Sequence, residues 1–398
     1  MINTAVESSP DVVSRNAGVE VSVVMPCLNE AETLAGCVTQ AQNAMREAGI
    51  RGEVIVADNG SRDGSQEVAE SLRARVVPVE AKGYGNALMG GIAAARGKFV
   101  IMGDSDGSYD FGFIPEFIRE LRAGADVVLG NRFKGGIEEG AMPPLHKLLG
   151  NPALTWIARV FFRIRIGDIY CGLRGFRKDV YERLALRTTG MEFATEMVIK
   201  ATLMQMKVKE IPTTLAPDGR TRAPHLRTWR DGWRTLRFFL LYSPRWLFLY
   251  PGFALCLLGL LVGAWLLPGP RRIGQVIIDV HTLLYAAIAV LLGFQAIAFA
   301  VFTKLFAITE GLHPPDTLLN RLFPYITLET GLMAGALLAA TGLGFSFYAV
   351  DVWHARHFGD LDFSSTFRLV IPAALCLTLG VQVIFSSLFI SVLGMRRK

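Results

Sequence analysis

Four long uncharged segments near the C-terminus limit how this chain can fold more than any other feature. They contain no Asp, Glu, Lys or Arg and comprise residues 246–267, 280–303, 330–350 and 369–395. Each reaches the roughly 20 residues that a helix needs to cross a bilayer. We therefore predict that residues 246–398 form an all-α bundle of four transmembrane helices.

The charges around these segments predict their orientation. Because the number of spans is even, both ends of the chain lie on one side, and basic residues lie before the first span and at 396–398. Positive charge favours the cytoplasmic side, although Arg271 and Arg272 fall in an outer loop. We expect an integral protein of the cell (inner) membrane with both termini cytoplasmic. Spans without ionisable residues favour an anchor over an ion pathway.

The chain is 51% hydrophobic, which is too apolar for one soluble domain, but residues 1 to about 240 have an ordinary globular composition. Residues 1–18 have no apolar core, and we predict a flexible tail rather than a signal peptide. The five cysteines are scattered and lack metal-ligand spacing. This pattern is typical of buried thiols in a reducing compartment.

Short apolar strands alternate with stretches of helical periodicity through residues 19–213. The predicted strands are 21–26, 53–58, 76–79, 98–102 and 126–130, and the predicted helices are 30–48, 65–73, 84–96 and 112–122. Such alternation favours a doubly wound, mostly parallel α/β sheet with helices on both faces. We therefore predict an α/β domain over residues 19–225.

Two carboxylates, Asp104 and Asp106, follow the strand predicted at 98–102. Ligands of open α/β sheets collect at the carboxyl ends of strands. Hard oxygen ligands at this spacing suit Mg²⁺ or Mn²⁺ held against a diphosphate. An ordinary turn is the alternative, since Asp, Ser and Gly are common turn residues. An EF-hand loop fits poorly, because Tyr109 and Pro115 stand where it needs Gly and Glu.

Two other strand ends carry polar segments. Residues 26–30 read Pro-Cys-Leu-Asn-Glu, and residues 58–64 read Asp-Asn-Gly-Ser-Arg-Asp-Gly. Taken singly, the first is also a helix cap and the second a turn. No P-loop sequence occurs, and the glycines at 83 and 85 make only a weak match to a dinucleotide fingerprint.

Together and in this order, the three segments resemble glycosyltransferase family 2, whose catalytic domain has the Rossmann-like GT-A fold. The resemblance covers roughly residues 20–215. It implies a nucleotide-sugar donor, a UDP- or GDP-hexose, and Mg²⁺ or Mn²⁺ bound by Asp104 and Asp106. The donor-binding residues that it implies are Pro26, Asn29, Glu30, Asp58 and Asp104.

Two later segments resemble the branch of this family that makes dolichyl- or polyprenyl-phosphate mannose or glucose. They are Gly130-Asn131-Arg132-Phe133 and residues 168–177, with Leu173 where Phe is usual. The resemblance implies that Arg132 and Arg174 contact phosphates of the donor and of a polyprenyl phosphate acceptor. Arginine suits this role because its fork pairs with two phosphate oxygens. By position alone, Arg132 is equally well a surface residue.

The resemblance also implies roles for four further residues. Glu196 lies where relatives that glycosylate hydroxyls have a general base, although Glu192, Glu196 and Lys200 also suit an ordinary ion-pair ladder on a helix. A phosphate acceptor needs no such base, because it is already ionised. Lys82 resembles a donor contact. Arg220 and Arg222 resemble a mobile basic loop that closes over the diphosphate.

Residues 226–245 precede the first span and have the pattern of an interfacial amphipathic helix. Arg227, Arg230, Arg234 and Arg237 share one side, and Trp229, Trp233, Leu236 and Leu240 form a separate stripe. Tryptophan rings at headgroup depth beside arginines near lipid phosphates are typical of the membrane surface. A helix packed on the soluble domain is the alternative.

We therefore expect an inverting, metal-dependent transferase that moves a hexose, glucose or mannose, from a nucleotide sugar to a polyprenyl phosphate. One alternative is a processive polysaccharide synthase, although Tyr242 stands where those enzymes have glutamine in Gln-x-x-Arg-Trp. The other is a non-catalytic membrane protein that senses a nucleotide sugar. No nucleic-acid partner is expected, and homo-oligomers are left open.

Overall fold

The computed structural model describes residues 18–221 and 228–394, except 315, 317–318, 320, 322–324 and 326. It divides into two compact units, with the boundary between Phe239 and Leu240. Some predictions fall outside the described residues. They concern the tail before residue 18, Arg222, Arg227 and residues 395–398.

In the described part of the first unit, seven strands form one sheet of order β3-β2-β1-β4-β6-β5-β7. The strands are β1 (Val21–Cys27), β2 (Gly52–Asp58), β3 (Arg75–Pro78), β4 (Phe99–Met102), β5 (Val127–Asn131), β6 (Arg174–Arg177) and β7 (Val208–Pro212). All neighbours pair in parallel except β6, which is antiparallel to β4 and β5. The predicted class, a mostly parallel α/β sheet, is confirmed.

Helices cover the sheet and bury its apolar strands. They are Ala31–Glu47, Ser65–Ser71, Tyr84–Ala94, Ile114–Arg122, Arg132–Gly135, Asn151–Phe162, Lys178–Leu184 and Glu192–Leu203. The first of them turns Leu34, Val38 and Ala41 into the core, where they lie in one cluster with Val23 of β1. The i, i+4, i+7 spacing of these side chains places them on one helix face.

Two of the seven strands, β6 and β7, were not predicted. β6 has only four residues and begins and ends with arginine, so it has no apolar run. Its backbone pairs with β4 and β5 on both sides, which places it in the interior of the sheet. Tertiary pairing, rather than local sequence preference, therefore makes this strand.

Thr228–Tyr242 forms a helix, as predicted for residues 226–245. Trp229 and Trp233 are 83% and 61% exposed. On the other side Phe239 is fully buried and its ring lies 5.9 Å from that of Phe162. One face of the helix thus packs on protein, and contact of the exposed tryptophans with lipid stays a prediction.

In the described part of the second unit, four helices are long and apolar enough to cross a membrane. They are Arg245–Leu266, Val280–Thr309, Leu328–His354 and Phe363–Gly394, and we number them as spans one to four. Two short strands, Arg271–Ile273 and Val276–Ile278, form a hairpin between spans one and two. Over their described residues, the four predicted segments are helical except at Leu267.

The predicted segments hold no Asp, Glu, Lys or Arg, but the helices continue past them and include charged residues near their ends. Span two includes Lys304 and span four includes Arg368. Each of these two charges pairs with a carboxylate outside its helix, Asp316 for Lys304 and Asp279 for Arg368. An ion pair lets a helix continue where a lone charge would disfavour burial.

Candidate active site

The loops after β1, β2 and β4 hold one another at the carboxyl edge of the sheet. Asn29 N donates to Ser61 Oγ at 2.9 Å, and Asn29 Oδ1 accepts from Arg62 N at 2.8 Å. Ser105 Oγ donates to Pro26 O at 2.7 Å. Asn29 has a φ of 57°, a left-handed conformation that Asn tolerates better than most residues. The three predicted segments therefore meet in one place.

The carboxylate pair lies in the loop after β4. Tyr84 OH donates to Asp104 Oδ1 at 2.8 Å, and Ser108 N donates to Asp106 Oδ1 at 3.0 Å. Burial, together with the negative charge of Asp106, raises the pKa of Asp104 to about 6. Two carboxylates that repel each other in this way favour a cation between them.

Arg220 lies against this pair. Its Nη2 donates to Asp106 Oδ2 at 2.9 Å and its Nε donates to Glu30 Oε2 at 2.9 Å. The neighbouring Gly219 N donates to the backbone oxygen of Asp106 at 2.9 Å. The segment that carries Arg220 is thus fixed to the loops after β1 and β4.

Arg132 and Asp168 form a buried bidentate ion pair. Arg132 Nε donates to Asp168 Oδ2 at 2.7 Å and Nη2 donates to Oδ1 at 2.9 Å. Asp168 is fully buried and Arg132 is 7% exposed. The alternative that Arg132 is an ordinary surface residue is therefore wrong. The pair holds the guanidinium at the end of β5.

Two family models match the chain. Residues 22–185 match "Glycosyl transferase family 2", and residues 301–394 match "Glycosyltransferase family 2 C-terminal transmembrane region". Over 377 residues the chain is 34% identical to the low-salt glycan biosynthesis hexosyltransferase Agl6 of Haloferax volcanii, covering 94% of this chain and 89% of Agl6. The chain belongs to glycosyltransferase family 2. The resemblance inferred from the motifs is confirmed.

Further similarities are lower. Glycosyltransferase AglJ of Haloferax volcanii is 31% identical to this chain over 216 residues. The match covers 53% of this chain and 68% of AglJ. A crystal structure of glucosyl-3-phosphoglycerate synthase from Mycobacterium tuberculosis, in complex with Mn²⁺ and UDP-glucose, is 22% identical. It covers 58% of this chain and 82% of the synthase, with a TM-score of 0.45.

The residues of this glycosyltransferase fit a metal ion that is shared with a substrate. Among the described residues, no group of three or more His, Cys, Asp or Glu is arranged to hold a metal. The candidate metal ligands are the carboxylates of Asp104 and Asp106, and Mg²⁺ is commonly held by one or two carboxylates with water and substrate phosphates. A Cβ on Gly172 would lie 2.7 Å from Asp104 Oδ2, so the backbone there closes one side of the carboxylate.

Two predicted donor-binding residues, Asp58 and Lys82, form hydrogen bonds to nearby residues of the protein. Asp58 is 1% exposed, and its carboxylate accepts hydrogen bonds from Gly60 N at 3.0 Å and Gln66 Nε2 at 2.7 Å. The contacts of Asp58 are therefore those of an ordinary turn. Lys82 is exposed and its Nζ donates to the backbone oxygen of Asn59. Their contact with a nucleotide stays a prediction.

The structure speaks against the predicted contact between Arg174 and phosphates. Arg174 begins β6 and is fully buried. Its guanidinium donates to the backbone oxygens of Ile169, Cys171 and Ala194. Arg174 is buried because β6 lies in the interior of the sheet. The motif alone had placed this side chain at the site.

Glu196 is likewise buried and occupied. Its Oε2 accepts from Thr188 N at 2.8 Å and from Arg187 N at 3.0 Å, and its Oε1 lies 2.9 Å from Lys200 Nζ. The predicted ion pair on the helix Glu192–Leu203 is confirmed. The ladder does not extend to Glu192, which pairs with Arg234 at 3.1 Å. The carboxylate of Glu196 holds the loop at Arg187 and Thr188, and it is too buried to act as a general base in this arrangement.

Sequence reasoning missed two groups that support the site. Tyr84 holds Asp104, and Asp168 holds Arg132. Asp168 stands at the start of the second branch motif, which is the signal that identifies it. Tyr84 lies next to the glycines that weakly matched a dinucleotide fingerprint, and nothing in that segment indicates its reach to β4.

Proposed function

We propose that this chain transfers a hexose from a nucleotide sugar to a polyprenyl phosphate. An oxygen of the lipid phosphate attacks the anomeric carbon, and the bond between that carbon and the donor diphosphate breaks. The nucleoside diphosphate leaves with the electron pair, and the anomeric configuration is inverted. The similarity to Agl6, a hexosyltransferase of low-salt glycan biosynthesis, supports transfer of a hexose.

The observation that carries the choice of acceptor is the state of Glu196. A hydroxyl acceptor needs a base to take its proton, whereas a phosphate is ionised at neutral pH. The carboxylate at the position where hydroxyl-specific relatives have their base is fully buried and held by Thr188, Arg187 and Lys200. This arrangement supports an acceptor that needs no deprotonation.

The charged groups at the sheet edge suit the departure of a diphosphate. Asp104 and Asp106 would hold Mg²⁺ or Mn²⁺, which supplies positive charge to the leaving diphosphate when bound. Arg220 would exchange its contact with Asp106 for a diphosphate oxygen. Arg132, oriented by Asp168, would add guanidinium hydrogen-bond donors near the phosphates. Fixed cations that meet developing negative charge commonly make the largest contribution to such catalysis.

The four spans give this chemistry a physical setting. A polyprenyl phosphate cannot leave the bilayer because of its long isoprenoid tail, so its phosphate has to be met at the membrane surface. The exposed Trp229 and Trp233 precede span one and have the character of interfacial residues. We propose that the active site faces the cytoplasmic surface of the inner membrane.

Transfer of label into lipid tests the proposal. The purified full chain in detergent would be given undecaprenyl phosphate, Mg²⁺ or Mn²⁺, and one radiolabelled UDP- or GDP-hexose at a time. We expect label in the organic phase with one donor and its loss with EDTA. Asp106→Asn should remove this transfer, whereas Asp179→Asn, a change in an exposed ion pair with Arg177, should retain it.

The other outcomes point to other functions. Label in a long or insoluble glycan would support a processive polysaccharide synthase instead. Binding of a nucleotide sugar without transfer to lipid, glycan or water would support a sensing protein. Either result would overturn the proposed acceptor.

A further inference from the structure

Two basic side chains of the second unit, Arg245 and Lys304, lie against the carboxylate of Asp316, and His313 lies against Lys304. Arg245 Nη2 lies 3.0 Å and Lys304 Nζ lies 3.5 Å from Asp316 Oδ2. Lys304 Nζ also lies 3.4 Å from Nδ1 of the buried His313. The side chains of Lys304 and Asp316 are only 17% and 12% exposed. With the guanidinium of Arg245 and the ammonium of Lys304 on one anion, the described side chains of the cluster carry excess positive charge even when His313 is neutral.

The contacts of Lys304 are long for a buried ammonium. Typical N–H···O hydrogen bonds measure about 2.7–3.2 Å, and both of its polar contacts exceed that range. An ammonium has three donors and no acceptor. Because an ionisable group near the membrane is costly unless well paired, a lysine with only long polar contacts indicates a functional site.

A second ionic cluster among the described residues of this unit is arranged differently. Arg368 pairs with Asp279, and Ser364 Oγ donates to Asp279 Oδ2 at 2.8 Å. Arg368 Nη1 donates to the backbone oxygen of Ser364 at 3.0 Å. Here one cation meets one carboxylate, so the group is neutral and ties two spans together. Pairing of one cation with one carboxylate does not explain why two cations lie around Asp316.

Aromatic residues place the Asp316 cluster at the boundary between water and lipid. Arg245 is the first residue of span one, and the ring of Tyr242 lies 5.3 Å from that of His313. Trp246 and Tyr250 follow in the next turn, with ring centroids 4.9 Å apart. Tyrosine and tryptophan are enriched at the headgroup level of membranes. A lipid phosphate lies at this depth.

We propose that Arg245, Lys304 and His313 bind the phosphate head group of a membrane lipid. Phosphate oxygens would take up the donors of Lys304 and replace part of the contact between Arg245 and Asp316. The acyl or prenyl tail would lie along the uncharged surfaces of spans one and two. Identification of that lipid with the acceptor rests on the proposed function, whereas phosphate-lipid binding does not.

Native mass spectrometry of the full chain in detergent tests the site without requiring turnover. Undecaprenyl phosphate, phosphatidylglycerol and inorganic phosphate would each be titrated into wild type, Lys304→Met and Arg272→Gln. Arg272 is an exposed arginine of the hairpin in the same unit and serves as the matched control. We expect Lys304→Met to weaken lipid binding at least tenfold and Arg272→Gln to leave it unchanged.

The three ligands separate the sources of phosphate. Tighter binding of undecaprenyl phosphate than of phosphatidylglycerol supports a site for the acceptor, and equal binding supports a general anionic-lipid site. Inorganic phosphate that binds as tightly as either lipid would overturn a lipid site. Equal lipid affinity of wild type and Lys304→Met would overturn the proposal altogether.

Asp316→Asn distinguishes binding from a structural role. The carboxylate competes with a phosphate for the same donors, so its removal should strengthen lipid binding severalfold. A network that only stabilises the fold predicts a lower unfolding temperature with no gain in lipid affinity. Affinity per folded molecule, measured beside the unfolding temperature, decides between them. Absence of hexose transfer would leave this result unchanged.

Discussion

Arg220 donates from Nη2 to Oδ2 of Asp106 at 2.9 Å, so a carboxylate predicted to bind metal is paired with a cation of the protein itself. The same guanidinium reaches Glu30, whose side chain is only 6% exposed. An arginine and a divalent ion compete for the same oxygen, because each is stabilised by its negative charge. The contact between Arg220 and Asp106 would therefore compete with a metal ion at Asp106.

Replacement of Arg220 by glutamine is expected to tighten binding of Mn²⁺ alone. Loss of a hydrogen bond to a charged partner is worth roughly 1.5–3 kcal/mol when buried, and partial exposure reduces the gain to about three- to tenfold in affinity. Titration followed by the electron paramagnetic resonance of unbound Mn²⁺ measures it. Arg122→Gln, which breaks an ion pair with Glu20, is the control. Unchanged or weaker Mn²⁺ binding would contradict the competition.

Asp106→Asn is expected to leave the fold intact and to remove most turnover. The change keeps the size of the side chain, and Ser108 N can still donate to the remaining oxygen. Loss of one charge at the metal lowers transfer by roughly a hundredfold or more, the scale of other lost contacts to developing charge. Circular dichroism would report the fold and labelled lipid the turnover. Near-normal transfer would rule out the metal assignment.

Metal binding is expected to weaken as the pH falls below about 6, because the pKa of Asp104 is raised to about 6. Above this pH the carboxylate is ionised and available, and below it a proton must leave before a metal binds. Affinity should then fall by up to about tenfold per pH unit. Mn²⁺ titrations between pH 5 and pH 8 test this. The affinity should begin to fall within about half a pH unit of the pKa of about 6. Asp104→Asn should flatten the profile, and a slope that persists would assign it to another group.

The architecture was largely predictable from the sequence, because its signals are periodic. The strands of the parallel part are buried on both faces and read as short apolar runs, and helices of period 3.6 lie between them. β6 was not predictable, since Arg174–Arg177 has no period and gains its place from pairing with β4 and β5. The same pairing buried Arg174.

For the site, the sequence identified residues but not their partners. The motifs named Asp104, Asp106 and Arg132, and the fold brings the loop that carries the first two into contact with Arg220. Partners such as Tyr84 could not be identified, because Tyr84 is separated from Asp104 by 20 residues in the sequence and only the fold brings the two side chains together. The extent of the spans was underestimated because charge was taken as their end, whereas an ion pair with Asp316 lets span two continue through Lys304.

Glu196→Gln is expected to lower stability more than catalysis. The change leaves Lys200 without its carboxylate in a buried site, which typically costs about 3–5 kcal/mol. Burial alone would raise the pKa of Glu196, but hydrogen bonds from Thr188 and Lys200 outweigh it and lower the pKa. The pair therefore stabilises the fold above the ordinary pKa of 4.5, and this stability is lost as the pH falls through the lower pKa of the folded state.

Turnover per folded molecule separates this structural role from that of a general base. If Glu196 only holds the loop at Arg187 and Thr188, transfer to lipid phosphate should stay within a few-fold of wild type once unfolded protein is removed. The double variant Glu196→Gln with Lys200→Met removes the stranded cation, so it should regain part of the lost stability. Chemical unfolding of both variants gives the stability. A hundredfold loss of turnover in fully folded Glu196→Gln would restore Glu196 as a catalytic base and argue for a hydroxyl acceptor.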